Sequence, residues 1–255
     1  AGALVGPAIA YGLLSYLGSS QESFQAIFYI SAIPAFFAVF VIWKFVKEPP
    51  ARERVQKRVG FWQRLRFLPP FFKRFLAISC FFSLSYFSFA FLIVKASESG
   101  LLPQDVLLLY MLFNFSYMLF AVPAGRLADK IGRKKTIAAS FFLYALVLLG
   151  FAFFSDFWHL AMLFLLYGLF VAADESVNKA YILELVGKRS AGMALGAYSS
   201  AVGAVYLPAS VLFGAIWSSF GAFVAFLLAA LVAASSSIAM HFFSAKSNQT
   251  KLFIN

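Results

Sequence analysis

The chain has 255 residues, 62% of them hydrophobic and 12% charged, whereas a soluble domain averages roughly 45–50% apolar and roughly 25% charged residues. A soluble core of this size cannot hide so much apolar surface, but a lipid bilayer can. The net charge of +11 falls between hydrophobic runs, which assigns it to membrane topology and excludes nucleic acid as a partner, and the lone Cys80 excludes an internal disulfide or a thiolate metal cluster.

A helical span needs roughly 20 apolar residues. Spans are expected at about 1–17, 24–46, 75–94, 106–124, 136–154, 158–183, 191–213 and 221–243, which makes the fold an all-α membrane protein with about eight transmembrane helices. The first run starts at Ala1 rather than Met and has neither a basic leader nor a small-residue cleavage site. It is therefore no signal peptide, and the natural N-terminus is expected upstream. A long basic segment, 47–74, separates two spans from six. Its string Gly60–Leu68 (GFWQRLRFL) fits either a short interfacial helix or a solvated linker. The third span supplies hydroxyls at Ser79, Ser83, Ser85, Tyr86 and Ser88. The fourth carries Tyr110, Asn114 and Tyr117 at helical spacing. Such a stripe can face a ligand cavity or bond to a neighbouring helix.

The loop after the fourth span reads Gly125-Arg-Leu-Ala-Asp-Lys-Ile-Gly-Arg-Lys-Lys135, a tight helix–turn–helix. Gly125 and Gly132 permit close approach or positive φ. Asp129 can cap a helix N-terminus, and Arg133 offers a forked donor to an acidic partner. The sixth span holds Asp174-Glu175-x-x-Asn178-Lys179 in an apolar setting, where charge is expensive and by default functional. Glu175 and Lys179 can pair across one turn. Tyr167, Asp174, Asn178 and Tyr181 recur on an adjacent face. A carboxyl there without a partner could carry a proton; the competing reading is a structural ion pair. Gly192, Gly196 and Gly203 give the seventh span a small-residue face suited to close packing. His159 and His241 lie at span ends, too few for a metal site, and no nucleotide loop, nucleophile–base arrangement or zinc spacing is present.

With eight spans, 19 of the 21 Lys and Arg residues fall on one side, leaving Lys95 and Lys179. The positive-inside rule then puts both ends and the long loop in the cytoplasm. The other side has short loops with Glu22, Glu98, Asp105, Asp156 and His159.

The loop string Gly125–Lys135 resembles the signature loop of the major facilitator superfamily of secondary transporters. Ala180–Gly196 (AYILELVGKRSAGMALG) resembles that family's tenth-to-eleventh span junction, and Gly2-x-x-x-Gly6-Pro7 resembles the fifth-span signature of its proton-coupled exporters, with Ala10 and Tyr11 where two glycines are usual. The resemblance, which is to bacterial drug-exporter-like members, covers essentially the whole chain as the fifth to twelfth spans. It implies residues 1–46 as the last two helices of an N-terminal bundle, 47–74 as a cytoplasmic linker, 75–243 as the C-terminal six-helix bundle and 244–255 as a cytoplasmic tail. It also implies a conformational latch formed by Gly125, Asp129, Gly132, Arg133 and Glu184. Tyr110, Asn114, Tyr117, Tyr167, Asp174, Glu175, Asn178 and Lys179 become the candidates for binding substrate or protons. The function implied is secondary active transport of a small solute, as proton-coupled export by alternating access, with no cofactor and no enzymatic step. An importer of a metabolite or metal chelate, and a non-transporting receptor or assembly protein, stay open. The expected setting is the bacterial inner membrane, and the expected partners are lipid, a small-molecule substrate, protons and the missing N-terminal helices.

Overall fold

A computed structural model describes residues 2–18, 20–45, 68–187 and 190–243. Among them are nine helices: α1 Gly2–Leu17, α2 Gln21–Phe45, α3 Pro70–Ser83, α4 Ala90–Glu98, α5 Pro103–Ile131, α6 Arg133–Phe153, α7 Phe157–Val186, α8 Ala191–Phe220 and α9 Ala222–Phe242. Six of these, α2 and α5–α9, are long and apolar enough to cross a membrane. With the shorter apolar α1, and with α3 and α4 sharing one span, the eight expected segments are accounted for. The chain is an all-α membrane bundle. Most of the basic segment between α2 and α3, including Gly60–Phe67, and the tail after Phe243 lie outside the described residues.

The helix ends differ from hydropathy. α3 begins at Pro70, inside the segment expected as linker, because Pro at the first helical position needs no amide partner. α5 runs on through Gly125 to Ile131, and the turn before α6 is Gly132 alone, at φ +97°. That conformation suits glycine, which has no Cβ to clash. Gly125 lies mid-helix with open space where a Cβ would stand, so nothing among the described residues requires glycine there. Gly192, Gly196 and Gly203 on α8 are equally open, and the close packing expected of them has no counterpart among the described residues.

The third span is broken. α3 stops at Ser83 and α4 starts at Ala90, and the residues between leave backbone groups without helical partners. In hydrocarbon each unsatisfied group is costly, so such a break persists only where protein re-satisfies it. Two long-range bonds do so. Tyr144 Oη on α6 donates to the Ser85 carbonyl at 2.9 Å, and the Ser88 amide donates to Ser210 Oγ on α8 at 3.0 Å. Tyr144 is 1% exposed. Tyr144→Phe leaves the Ser85 carbonyl unpaired, and we expect a loss of about 1–3 kcal/mol, seen as a lower thermal midpoint in detergent. Wild-type melting of that variant would show that the carbonyl finds another donor.

The core gathers around α6 and α7. Phe82 of α3 stacks on Phe141 of α6 at 3.7 Å, and Phe87 stacks on Phe213 of α8 at 3.6 Å. α5 and α7 cross closely at Gly168, where Ser116 Oγ donates to the Leu165 carbonyl at 2.6 Å. Ser237 Oγ of α9 donates to the Ala138 carbonyl of α6 at 2.7 Å. α1 packs on α5, while α2 touches α1 and presents an apolar surface including Phe28, Phe36 and Trp43.

Apart from Asp174, Glu175 and Lys179 within α7, the charged groups of the described residues that make side-chain bonds lie near helix ends. At one end of the bundle Lys134 Nζ at the start of α6 donates to the His241 carbonyl at the end of α9, 2.7 Å away, where a cation also meets the negative end of the helix dipole. At the other end Lys95 Nζ donates to Ser155 Oγ. There too Asp156 caps α7, accepting from the His159 amide at 3.2 Å and pairing with its ring Nδ1 at 2.6 Å. That side-chain bond holds the Asp156 carboxyl below its usual range. Its stabilising contribution is therefore present above the usual Asp value and is lost as pH falls through the lowered one.

Candidate functional site

Two of the expected groupings come together, and their details differ from the sequence reading. The first is at the basic end. Arg133, the first residue of α6, sends Nη2 to Asp129 Oδ1 of α5 at 3.1 Å and Nη1 to the Ala180 carbonyl of α7 at 2.9 Å. The same Nη1 stands 3.5 Å from Glu184 Oε2, one turn further along α7. One planar guanidinium thus ties three helix ends, a task that suits its fixed fork of donors. Asp129 is engaged by Arg133, and α6 receives no side-chain cap at its N-terminus, so the capping role expected of Asp129 is not seen. Asp129 and Glu184 are exposed and Arg133 is half-buried.

The second grouping is inside the bundle, on α7. Asp174 Oδ1 accepts from Asn178 Nδ2 at 2.7 Å. Glu175 Oε2 accepts from Tyr117 Oη of α5 at 2.8 Å. The pairing of Glu175 with Lys179 allowed by spacing does not form: among the described residues no such bridge lies within 4.0 Å, and both residues are exposed. Tyr117 takes the place of Lys179 because the close α5–α7 crossing brings its hydroxyl across. Both carboxyls are therefore held by neutral donors.

Tyr86 of the helix break, Tyr144 of α6, Tyr167 of α7 and Tyr198 and Tyr206 of α8 all lie within electrostatic reach of Asp174. Of these tyrosines, sequence reasoning made only Tyr167 a site candidate and named Tyr86 merely as a hydroxyl of the third span. Tyr86 sits in the hydroxyl-rich run that becomes the helix break, a Ser/Tyr pattern that signals the site. Tyr144, Tyr198 and Tyr206 stand in ordinary apolar helices and carry no such signal.

A cavity of about 480 Å³ opens at the break, lined by Tyr86, Ser88, Phe89, Tyr167, Tyr206 and Ser210 among others. Among the described residues no charged side chain lines it. Its walls are aromatic faces with a few hydroxyls, the pattern of a site for a mostly apolar ligand with one or two polar atoms. The α5 stripe only partly reaches this region. Tyr110 packs on Phe89 at 5.3 Å, and Phe113 links Tyr110, Tyr117 and Tyr167 at 5.4–6.4 Å. Asn114 is 5% exposed, donates one amide hydrogen to the Tyr110 carbonyl of its own helix, and does not line the cavity. Lys179 stands exposed on α7. No group of three or more metal-ligating side chains is found among the described residues.

The family model described as Major Facilitator Superfamily matches residues 1–102 and 90–253. An uncharacterized MFS-type transporter of Methanocaldococcus jannaschii is 36% identical over 225 residues, which is 85% of this chain and 54% of that protein. The chain thus spans about half the length of the curated relative it matches. Two matches of the family model together take in nearly every residue, and the helical bundle agrees with them: the chain belongs to the major facilitator superfamily.

Proposed function

We propose that the full-length protein is a secondary active transporter that exports a small, uncharged, largely aromatic or amphipathic solute in exchange for protons by alternating access. The observation that carries this reading is the carboxyl pair of α7. Among the described residues Asp174 and Glu175 bond to Asn178 and Tyr117, and Tyr86, Tyr167 and Tyr206, which line the aromatic cavity, lie within electrostatic reach of Asp174. An ionised carboxylate deep in a span costs roughly 3 kcal/mol, and neutral donors offset only part of that. A carboxyl so placed can exchange its proton as the cavity alternates between the two faces of the membrane. Coupling follows because substrate and proton bind the two states with different affinity.

In this reading α1 and α2 complete an N-terminal six-helix bundle, and α3 to α9 make up the C-terminal one. The basic end of the bundle faces the cytoplasm, with both ends of the chain on that side of the plasma membrane. Arg133, Asp129 and Glu184 act as a latch that is closed in one of the two states. The contacts seen join helices of a single bundle, so the latch works by fixing the ends of α5, α6 and α7 relative to one another.

The test is flux in proteoliposomes holding the full-length protein, with a panel of neutral and cationic aromatic dyes as probes and an imposed pH gradient. Flux of an accepted dye should rise with the gradient, and Asp174→Asn/Glu175→Gln should lose at least tenfold of that dependence. A double variant with wild-type, gradient-sensitive flux sinks the proton reading.

A further inference from the structure

Three buried side-chain oxygens have no hydrogen-bond partner among the described residues: Ser79 Oγ on α3, and Asn178 Oδ1 and Tyr181 Oη on α7. Their residues are 2%, 3% and 3% exposed. Leaving such a group bare costs about 1–3 kcal/mol, and native structures pair nearly all of them.

These atoms belong to one region. Phe75, one turn before Ser79 on α3, meets the Tyr181 ring edge-on at 5.1 Å and stacks on Tyr198 of α8 at 5.9 Å. α3 and α7 run in opposite directions here, since Phe82 lies 6.0 Å from Phe170 at the far end of the same contact. Ser79 therefore faces the turn of α7 that carries Asp174 and Asn178. The Tyr198 hydroxyl of α8 approaches Ser79 without forming a well-aligned bond to it, and stands within electrostatic reach of Cys80 and Asp174. Along α7, Asp174, Asn178 and Tyr181 share a face, and Tyr181 in turn lies within reach of Glu184. Glu184 is the exposed partner of Arg133 at the basic end.

Three unpaired oxygens at one helix junction meet the requirement of a buried water, which typically makes about three hydrogen bonds. We propose that Ser79, Asn178 and Tyr181 enclose ordered water between α3, α7 and α8, and that this water carries protons between Asp174 and the Glu184–Arg133 pair. The inference rests on the proton-coupled reading and adds to it a route and a direction: Asp174 exchanges protons with the basic end of the bundle. The titratable groups facing the route are Cys80 on α3, Asp174 and Glu184 on α7, and Tyr198 and Tyr206 on α8. Arg133 from α6 stands at its mouth. Tyr86, Tyr144, Tyr167 and Glu175 also lie within electrostatic reach of Asp174. A proton shifts along the route by exchange between neighbouring hydroxyls and water, with no net bond made or lost in the protein.

Two measurements on the full-length protein in nanodiscs test this. In hydroxyl-radical footprinting, bound water labels Tyr181 well above the level its 3% exposure allows, and an unlabelled Tyr181 overturns the hydrated chamber. In time-resolved infrared after a proton jump, the carboxylic acid band that Asp174→Asn removes should rise at least fivefold more slowly in Tyr181→Phe. Ser79→Ala, a milder change, should slow it at least twofold. Both variants should reach the wild-type amplitude at the same midpoint pH, because a relay sets rate and not equilibrium. Wild-type rates in both variants overturn the relay and leave the proton reading standing. A shifted midpoint overturns it too, by showing a structural role. The absence of any band that Asp174→Asn removes overturns the proton reading itself, and the relay with it.

Discussion

Gly168→Ala is expected to force α7 off α5 and to destabilise the bundle more than any other single methyl added in its interior. A Cβ at this position would stand 2.5 Å from the Phe113 carbonyl oxygen, 2.8 Å from Ser116 Cβ and 3.0 Å from the Tyr117 amide nitrogen. Two of the three are backbone atoms, which cannot rotate away. The substitution gains roughly 1 kcal/mol of helix propensity over glycine. Overpacking against rigid atoms costs about 3 kcal/mol, so the clash wins. In a membrane no hydrophobic effect holds two helices together, so this crossing depends on close approach and on the Ser116–Leu165 bond beside it. Opening it also separates Tyr117 from Glu175. The expected result is a markedly lower thermal midpoint in detergent and a Glu175 freed from its tyrosine, read by the loss of gradient-sensitive dye flux. A Gly168→Ala protein that melts with wild type would mean that the crossing is looser than its geometry.

Hydropathy reads the spans well because lipid acts as the solvent and sets both length and composition. It reads their ends poorly. α5 continues from its apolar stretch through Arg126 and Lys130 to Ile131, since a helix satisfies its own backbone whether or not its side chains are apolar. Only the positive φ of Gly132 stops it. The break at Leu84–Phe89 is hidden for another reason: its hydroxyl residues Ser85, Tyr86 and Ser88 mark a polar patch, but serine and tyrosine sit equally well inside an unbroken helix. What permits the break is distant in sequence, the Tyr144 hydroxyl and the Ser210 side chain. Spacing on one helix suggests Glu175 with Lys179, but Gly168 lets a tyrosine of another helix arrive first, and an isolated glycine in an apolar run carries no hint of that. The Asp129–Arg133–Glu184 grouping is legible through family resemblance, since no periodicity links α5, α6 and α7. Asp174 stands out in the sequence because charge in a span is rare. Three of the tyrosines around it do not, because tyrosine is common in spans.

Arg133→Gln is expected to release the end of α7 from the α5–α6 turn. Asp129 and Glu184 side chains are 65% and 46% exposed, so each ion pair alone is worth only about 0–1 kcal/mol. The bond to the Ala180 carbonyl is charge-assisted and contributes about as much again or more. Losing all three at once removes on the order of 2 kcal/mol, enough to change a two-state population by roughly thirtyfold. Lysine has one ammonium and no fork, so Arg133→Lys should retain part of the restraint and fall between wild type and Arg133→Gln. Spin labels at Leu127→Cys and Leu183→Cys, both exposed, in a Cys80→Ser background would report the α5–α7 distance directly. Wild type should give one narrow distribution, and Arg133→Gln a longer or broader one. Salt separates the contributions. At about 1 M ionic strength the Debye length falls to about 3 Å and the two exposed ion pairs are screened, while the bond to the Ala180 carbonyl is not. Wild type in high salt should therefore move toward the Arg133→Gln distribution without reaching it. If high salt alone reproduces the variant, the carbonyl bond contributes nothing. If Arg133→Gln keeps the wild-type distances in both salts, the guanidinium is not what holds these helix ends.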